Sequence, residues 1–170
     1  ITVQFGSTAF LVSTPTYTST SQYYHIVMHA DTNNATASLR CRVWVDGSEI
    51  TAWDTDSRSS IVTGTDYAFN NTVAHYIGRG GDSAVRYFNG SMALMYVFDG
   101  VALSGLLPST FSSAGTAQLY SGSYGAQGSF LNFSNSGSLG TDGSGNGNTW
   151  TLTNINSGNF VSGGGPPKNY

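Results

Sequence analysis

The sequence carries very little charge. Six Lys and Arg stand against nine Asp and Glu in 170 residues, a net charge of −3. Lys168 is the single lysine and Glu49 the single glutamate. Phosphate backbones are held by stripes of basic side chains, so this composition excludes an electrostatic nucleic-acid binder. Cysteine is nearly absent. Cys41 stands alone, which excludes an internal disulfide and with it a disulfide-scaffolded module. No run of about 18 apolar residues occurs, so no membrane-spanning helix is expected. The chain opens on Ile1-Thr2-Val3-Gln4-Phe5, with neither an initiator Met nor a signal-peptide pattern. It is expected to be a piece of a longer polypeptide or a processed product.

What fills the sequence is small, uncharged and polar. Ser, Thr, Asn and Gly together make up 78 of the 170 residues. Such a chain is short of strong helix formers and rich in strand and turn residues, which predicts an all-β protein. Ten Tyr, nine Phe and three Trp supply the bulk for a core. A chain of this length buries roughly two-thirds of its unfolded surface and needs no covalent staple.

Alternating or apolar runs predict strands at 1–5, 9–13, 23–30, 38–46, 49–53, 61–62, 73–78, 88–98, 118–120, 130–133 and 150–155. In 23–30 the pattern puts Tyr24, Ile26, Met28 and Ala30 on one face and Tyr23, His25, Val27 and His29 on the other. In 38–46 it puts Leu39, Cys41, Val43 and Val45 opposite Arg40, Arg42, Trp44 and Asp46. Asp46-Gly47 is a tight-turn signal. Residues 102–112 read as one helical turn. Strands at short spacing with turn residues between them and no amphipathic helix indicate a β-sandwich or jelly roll. One domain over 1–160 is expected, followed by a flexible Gly/Pro tail at 161–170.

The order YYHIVMHADT, RVWVDGSEI, HYIGR, FNGSMALMYVFDGVAL resembles the laminin-G-like, concanavalin-A-like lectin jelly roll over about residues 20–112. The stretch that follows, from YSGSYGAQGSF to NTWTLTNI, is similar to parts of tailed-bacteriophage structural proteins. The resemblance implies a two-sheet antiparallel β-sandwich in a surface-exposed virion protein, on capsid or tail. It departs from the family twice. Strands that usually precede the matched segment are missing, and the acidic pair that many members carry is replaced in Met92-Ala93-Leu94-Met95. Residues 130–152 resemble the opening hairpin of such a domain, so the incomplete N-terminal part is expected to be closed by C-terminal strands, within one chain or by exchange with a neighbour.

Several constellations bear on chemistry. Retaining glucanases of this architecture use two carboxylates about 5–5.5 Å apart. A single Glu argues against that mechanism, and Asp54 with Asp56 read as solvated loop carboxylates, so no catalytic residue is expected. His25 and His29 lie about 13 Å apart along one strand, too far to share an ion; His75 could approach one of them from a neighbouring strand, but all three histidines read as half-buried among aromatics. The resemblance implies calcium in a rim loop. Asp142, Asn146 and Asn148 offer hard oxygens at alternating positions among glycines, and an Asx-turn loop satisfying its own backbone is the competing reading. Asp82 is a weaker candidate ligand. Glycan recognition needs an aromatic platform with planar polar partners. Trp44, Trp53, Arg42 and Tyr23 are the candidates, with Tyr76, Tyr87 and Tyr124 near loops. The Asn-x-Ser/Thr triplets at Asn34, Asn70, Asn89 and Asn132 are expected by chance in such a composition.

Two functions follow as expectations. One is a non-catalytic virion protein that mediates glycan or host-surface adhesion from a tail or capsid fibre, with no required cofactor. The other is a capsid decoration or cement protein that binds no ligand. Both carry other virion proteins as partners and a homo-oligomeric state by analogy.

Overall fold

The computed structural model describes residues 1–5, 8–69, 71–80, 87–101, 112–113, 116–117, 119–133 and 135–159. Its strands are β1 (Thr2–Phe5), β2 (Thr8–Ser13), β3 (Ile26–Ala30), β4 (Cys41–Val45), β5 (Ser48–Glu49), β6 (Trp53–Asp56), β7 (Met95–Val97), β8 (Ser112–Ser113), β9 (Thr116–Ala117) and β10 (Ser129–Leu131). Among the described residues the helical elements are short 3-10 turns, at Ala37–Leu39, Arg58–Ser60 and Ser157–Asn159. No helix among them is long and apolar enough to cross a membrane. The described chain is all-β, built from small antiparallel sheets. It divides into two compact units. The first takes in Ile1–Val73, the second the described residues from Ala74 onward.

The first unit holds two three-stranded sheets, ordered β1-β2-β6 and β3-β4-β5. Val3, Phe10 and Leu11 of the first sheet meet Cys41, Val43 and Val45 of β4 in one buried cluster, joined by Ile50 and Ile61. The alternation read in the sequence explains the β4 contribution, since every second residue of a strand faces the same way. Asp46 and Gly47 form the β4–β5 turn with φ of 49° and 85°. Positive φ at both central residues matches the twist of a two-residue hairpin, and an Asp-Gly pair meets it at low cost. Burial pushes the Cys41 thiol up to about 11, so it behaves as a small apolar core residue.

The second unit is organised by aromatic side chains. β7 pairs antiparallel with β10, and Phe130 of β10 stacks on Tyr96 of β7 with ring centroids 4.7 Å apart. Phe98 and Tyr124 extend the stack, 5.4 Å apart. Gly125, at φ 75°, lies so close to Asp99 that an added Cβ would overlap its carbonyl oxygen.

Several expected strands are shorter or missing. Residues 23–25 precede β3, and Leu39 sits exposed in a 3-10 turn rather than on the core face of β4. Ile61 is buried, yet it ends a 3-10 turn instead of joining a strand. The expected strand at 73–78 is not formed; Arg79 and Tyr87 make an isolated bridge there. Of the long strand expected at 88–98 only Met95–Val97 pairs, because β10 offers a partner of three residues. Residues 150–155 form no strand. Trp150 N–H donates to Gly140 O, but the segment beyond is exposed and has no ladder to join. Segment 130–152 therefore contributes one strand, β10, inside the second unit. Most of the expected helical turn at 102–112, Gln118 and the tail at 161–170 lie outside the described residues.

Candidate functional site

The second unit carries an open groove of about 450 Å³. His75 and Tyr76 line it from one segment, Gln127 and Ser129 from the stretch entering β10. Asn148, Thr149, Trp150, Thr151 and Thr153 complete it from the loop that follows Asp142. The lining has the rings of Tyr76 and Trp150, the His75 imidazole, two planar amides and several hydroxyls, and no carboxylate, lysine or arginine.

The loop holds this shape because of one carboxylate. Asp142 Oδ1 accepts the N–H of Phe130 at 2.8 Å and of Ser144 at 2.9 Å. Its Oδ2 accepts the Ser144 hydroxyl at 2.7 Å and the Asn148 N–H at 2.9 Å. A carboxylate has about four acceptor positions, and all four are used. Burial alone would raise the Asp142 pKa; the hydrogen bonds from Phe130, Ser144 and Asn148 outweigh it and hold the group below the ordinary carboxylate value. The Asn146 and Asn148 amides each donate to Gly128 O at 2.9 Å, which ties the loop to the segment entering β10. Glycines at 143, 145 and 147 let the chain turn this sharply, with φ of 88° at Gly145 and 77° at Gly147.

The Tyr76 and Trp150 rings are held differently. Trp150 Nε1 donates to Ser129 Oγ at 3.0 Å, fixing the indole across the groove walls. Tyr76 is 48% exposed and carries the Arg79 guanidinium over its ring at 4.7 Å. Next to Ser129 in sequence, Phe130 stacks on Tyr96 of β7.

The residues singled out from sequence fall elsewhere. Trp44 lies on β4 opposite the core face and is only 5% exposed. The Arg42 guanidinium covers its ring at 4.6 Å, held by a two-pronged bond to Glu49. That pair keeps the Glu49 carboxyl below its ordinary value. Trp53 is partly buried against the core cluster, with Arg58 over its ring at 5.7 Å. Trp44 and Trp53 therefore belong to different sheets and different faces, and no common platform joins them. Tyr23 is half-buried in the segment before β3. A sugar ring reaching Trp44 would have to displace Arg42.

The remaining candidates are accounted for locally. Asp56 is forked by Arg58, and Asp54 accepts the Thr14 hydroxyl at 2.7 Å. His25 and His29 flank and occupy β3, each with its pKa lowered by burial, while His75 is exposed rather than half-buried and lines the groove of the second unit. Among the described residues no three His, Cys, Asp or Glu side chains cluster as a metal site. In the Asp142–Asn148 loop the carboxylate is occupied by donors, as in an Asx-turn loop. Asp82 and Asn70 lie outside the described residues. Sequence reasoning named Tyr76 and Asn148 but missed Trp150, Gln127 and Ser129. The signal available was Trp150 set among threonines beside a glycine loop.

Compared with protein families, curated proteins and solved structures, the chain matches none. The functional reading therefore rests on this geometry and on the sequence patterns above.

Proposed function

We propose that the chain is a non-catalytic, surface-exposed virion component whose second unit binds neutral glycans on a host surface. The observation that carries the glycan reading is the groove itself, where Trp150 stands among the amides of Gln127 and Asn148 and the hydroxyls of three threonines, with His75 and the Arg79-covered Tyr76 beside it. Sugars present an apolar C–H face and a rim of hydroxyls. An aromatic ring suits the first and amides with hydroxyls suit the second. Apart from Arg79 over Tyr76 and the His75 imidazole, the groove offers no charged partner, which favours neutral sugars over sulfated and carboxylated ones. The virion setting comes from the laminin-G-like and bacteriophage-like patterns of the sequence. So does the finer fold reading, a concanavalin-A-like jelly roll, which two sheets sharing one core in the first unit support. One shallow groove gives weak binding, and many copies on a particle convert it to firm adhesion.

The test is an array of neutral and acidic glycans probed with the full chain and with Trp150→Ala. Neutral glycans are expected to be retained, and the variant to lose about tenfold or more in affinity. Retention unchanged in the variant, or confined to acidic glycans, contradicts the reading.

The decoration reading has one observation in its favour. Val62, Tyr87, Phe88 and Leu119 stand more than half exposed, which suits surfaces covered by neighbours in a lattice. Electron microscopy of a particle carrying the chain separates the two, by density bridging capsid subunits or standing on fibres.

A further inference from the structure

We propose that β3 is the contact strand of a symmetric dimer, in which two copies of this chain join edge to edge about Met28. The proposal is independent of the glycan reading. It starts from how the other edges of the first unit are built. The β1–β2 ladder is broken opposite Val3 and Gln4, where β2 has Phe10 as an extra residue; β5 is two residues long; and β6 bears Asp54 and Asp56. These are the devices that keep sheet edges from pairing with other chains. β3 has none of them. Its sequence Ile26-Val27-Met28-His29-Ala30 contains no proline and none of Asp, Glu, Lys or Arg, and it pairs with β4 in unbroken register. No described residue pairs with its other side.

The backbone of that free side is ready to pair. Asp46 N–H donates to His25 O and Asp31 N–H to Arg40 O, each at 2.8 Å. Residues 25, 27, 29 and 31 thus direct their backbone groups at β4. By the alternation of an antiparallel ladder, Ile26, Met28 and Ala30 direct theirs outward. The side chains of these same three residues lie on the core face, since their register partners are the buried Val45, Val43 and Cys41. Yet Ile26 is 51% and Met28 43% exposed. The apolar face of the sheet runs out to an edge with which no other described strand pairs.

A second copy fits this edge by its own pattern. An antiparallel pair centred on Met28 sets Met28 against Met28 and Ile26 against Ala30, so the outward N–H and C=O groups of all three residues find partners. The same register sets His25 of one copy against Asp31 of the other at both ends. An imidazole then meets a carboxylate twice, and no like charges meet. Such an isologous contact closes after two copies, which is the commonest oligomeric symmetry. Each copy would extend the other's three-stranded sheet and cover the apolar ends of β3.

Sedimentation of the full chain at tens of micromolar is expected to give a mass near twice 17.9 kDa. Met28→Lys places two like charges at the two-fold axis and is expected to weaken the dimer about tenfold or more. Met28→Cys reads the register directly. Residues paired at the axis have Cα atoms about 5.5 Å apart, within disulfide reach, so oxidation should yield a covalent dimer. Ile26→Cys should not cross-link, because its opposite number is Ala30. Cys41 is buried and does not compete. A monomeric wild type, a Met28→Lys dimer as tight as the wild type, or equal cross-linking at positions 26 and 28 overturns the proposal.

Discussion

Asp142 shows how much one side chain can decide in a chain with so few charges. It gathers three backbone N–H groups and one hydroxyl from residues 130, 144 and 148, and it thereby sets the loop that carries Asn148 and Trp150 into the groove. Asp142→Asn keeps the shape but turns an amide N–H₂ toward these donors. It is expected to cost about 1–3 kcal/mol in unfolding free energy, measured by chemical denaturation. The pH dependence has a definite sign. The folded pKa of Asp142 lies below its unfolded value, so its stabilisation is complete above the usual carboxylate range. It is lost as pH falls below about 4 and through the folded pKa. Wild-type stability should therefore drop in acid by more than that of Asp142→Asn; equal drops would show that the carboxylate contributes nothing. The residue types of this loop were legible in the sequence, as hard oxygens at alternating positions among glycines. Their partners were not. Whether an aspartate meets a cation or a set of N–H groups depends on where residues 125–130 lie, and spacing within the loop does not encode that.

At the scale of elements, turns were read more surely than strand lengths. Asp46-Gly47 adopts the paired positive φ that its dipeptide implies, and Cys41, Val43 and Val45 face the core as their alternation implies. A turn is written in two residues; a strand also needs a partner. Residues 88–98 have strand composition, but β10 pairs with three of them. Residues 150–155 have alternating threonines and no ladder to join. The hairpin makes a sharp prediction. Gly47 sits at φ 85°, where a β-branched side chain is strained. Gly47→Val is expected to destabilise the chain by about 1–3 kcal/mol and lower its thermal midpoint. Gly47→Asn, which tolerates positive φ better, should lose less. Equal losses in the two variants would mean that the turn conformation does not matter. The Arg42–Glu49 bridge beside this turn is partly exposed, so its removal belongs to the range of small surface effects.

At the scale of the whole molecule, the composition was the most informative feature. Low charge and abundant Ser, Thr, Asn and Gly imply an all-β chain, and the described residues are all-β. The division into two units was not legible, because no linker or change of composition marks residue 73. The groove was hidden for a related reason. Its walls come from residues 75–76, 127–129 and 148–153, which are far apart in sequence and individually unremarkable. The more conspicuous tryptophans, Trp44 and Trp53, are occupied by Arg42, by Arg58 and by the core. Three tryptophans give three indole N–H resonances, one from each of these environments. The most direct measurement is an NMR titration of the full chain with a neutral oligosaccharide, following those signals. The account predicts that the Trp150 resonance shifts while those of Trp44 and Trp53 stay in place. A shift at Trp44 or Trp53 with Trp150 unmoved, or no shift across a panel of neutral glycans, would contradict it.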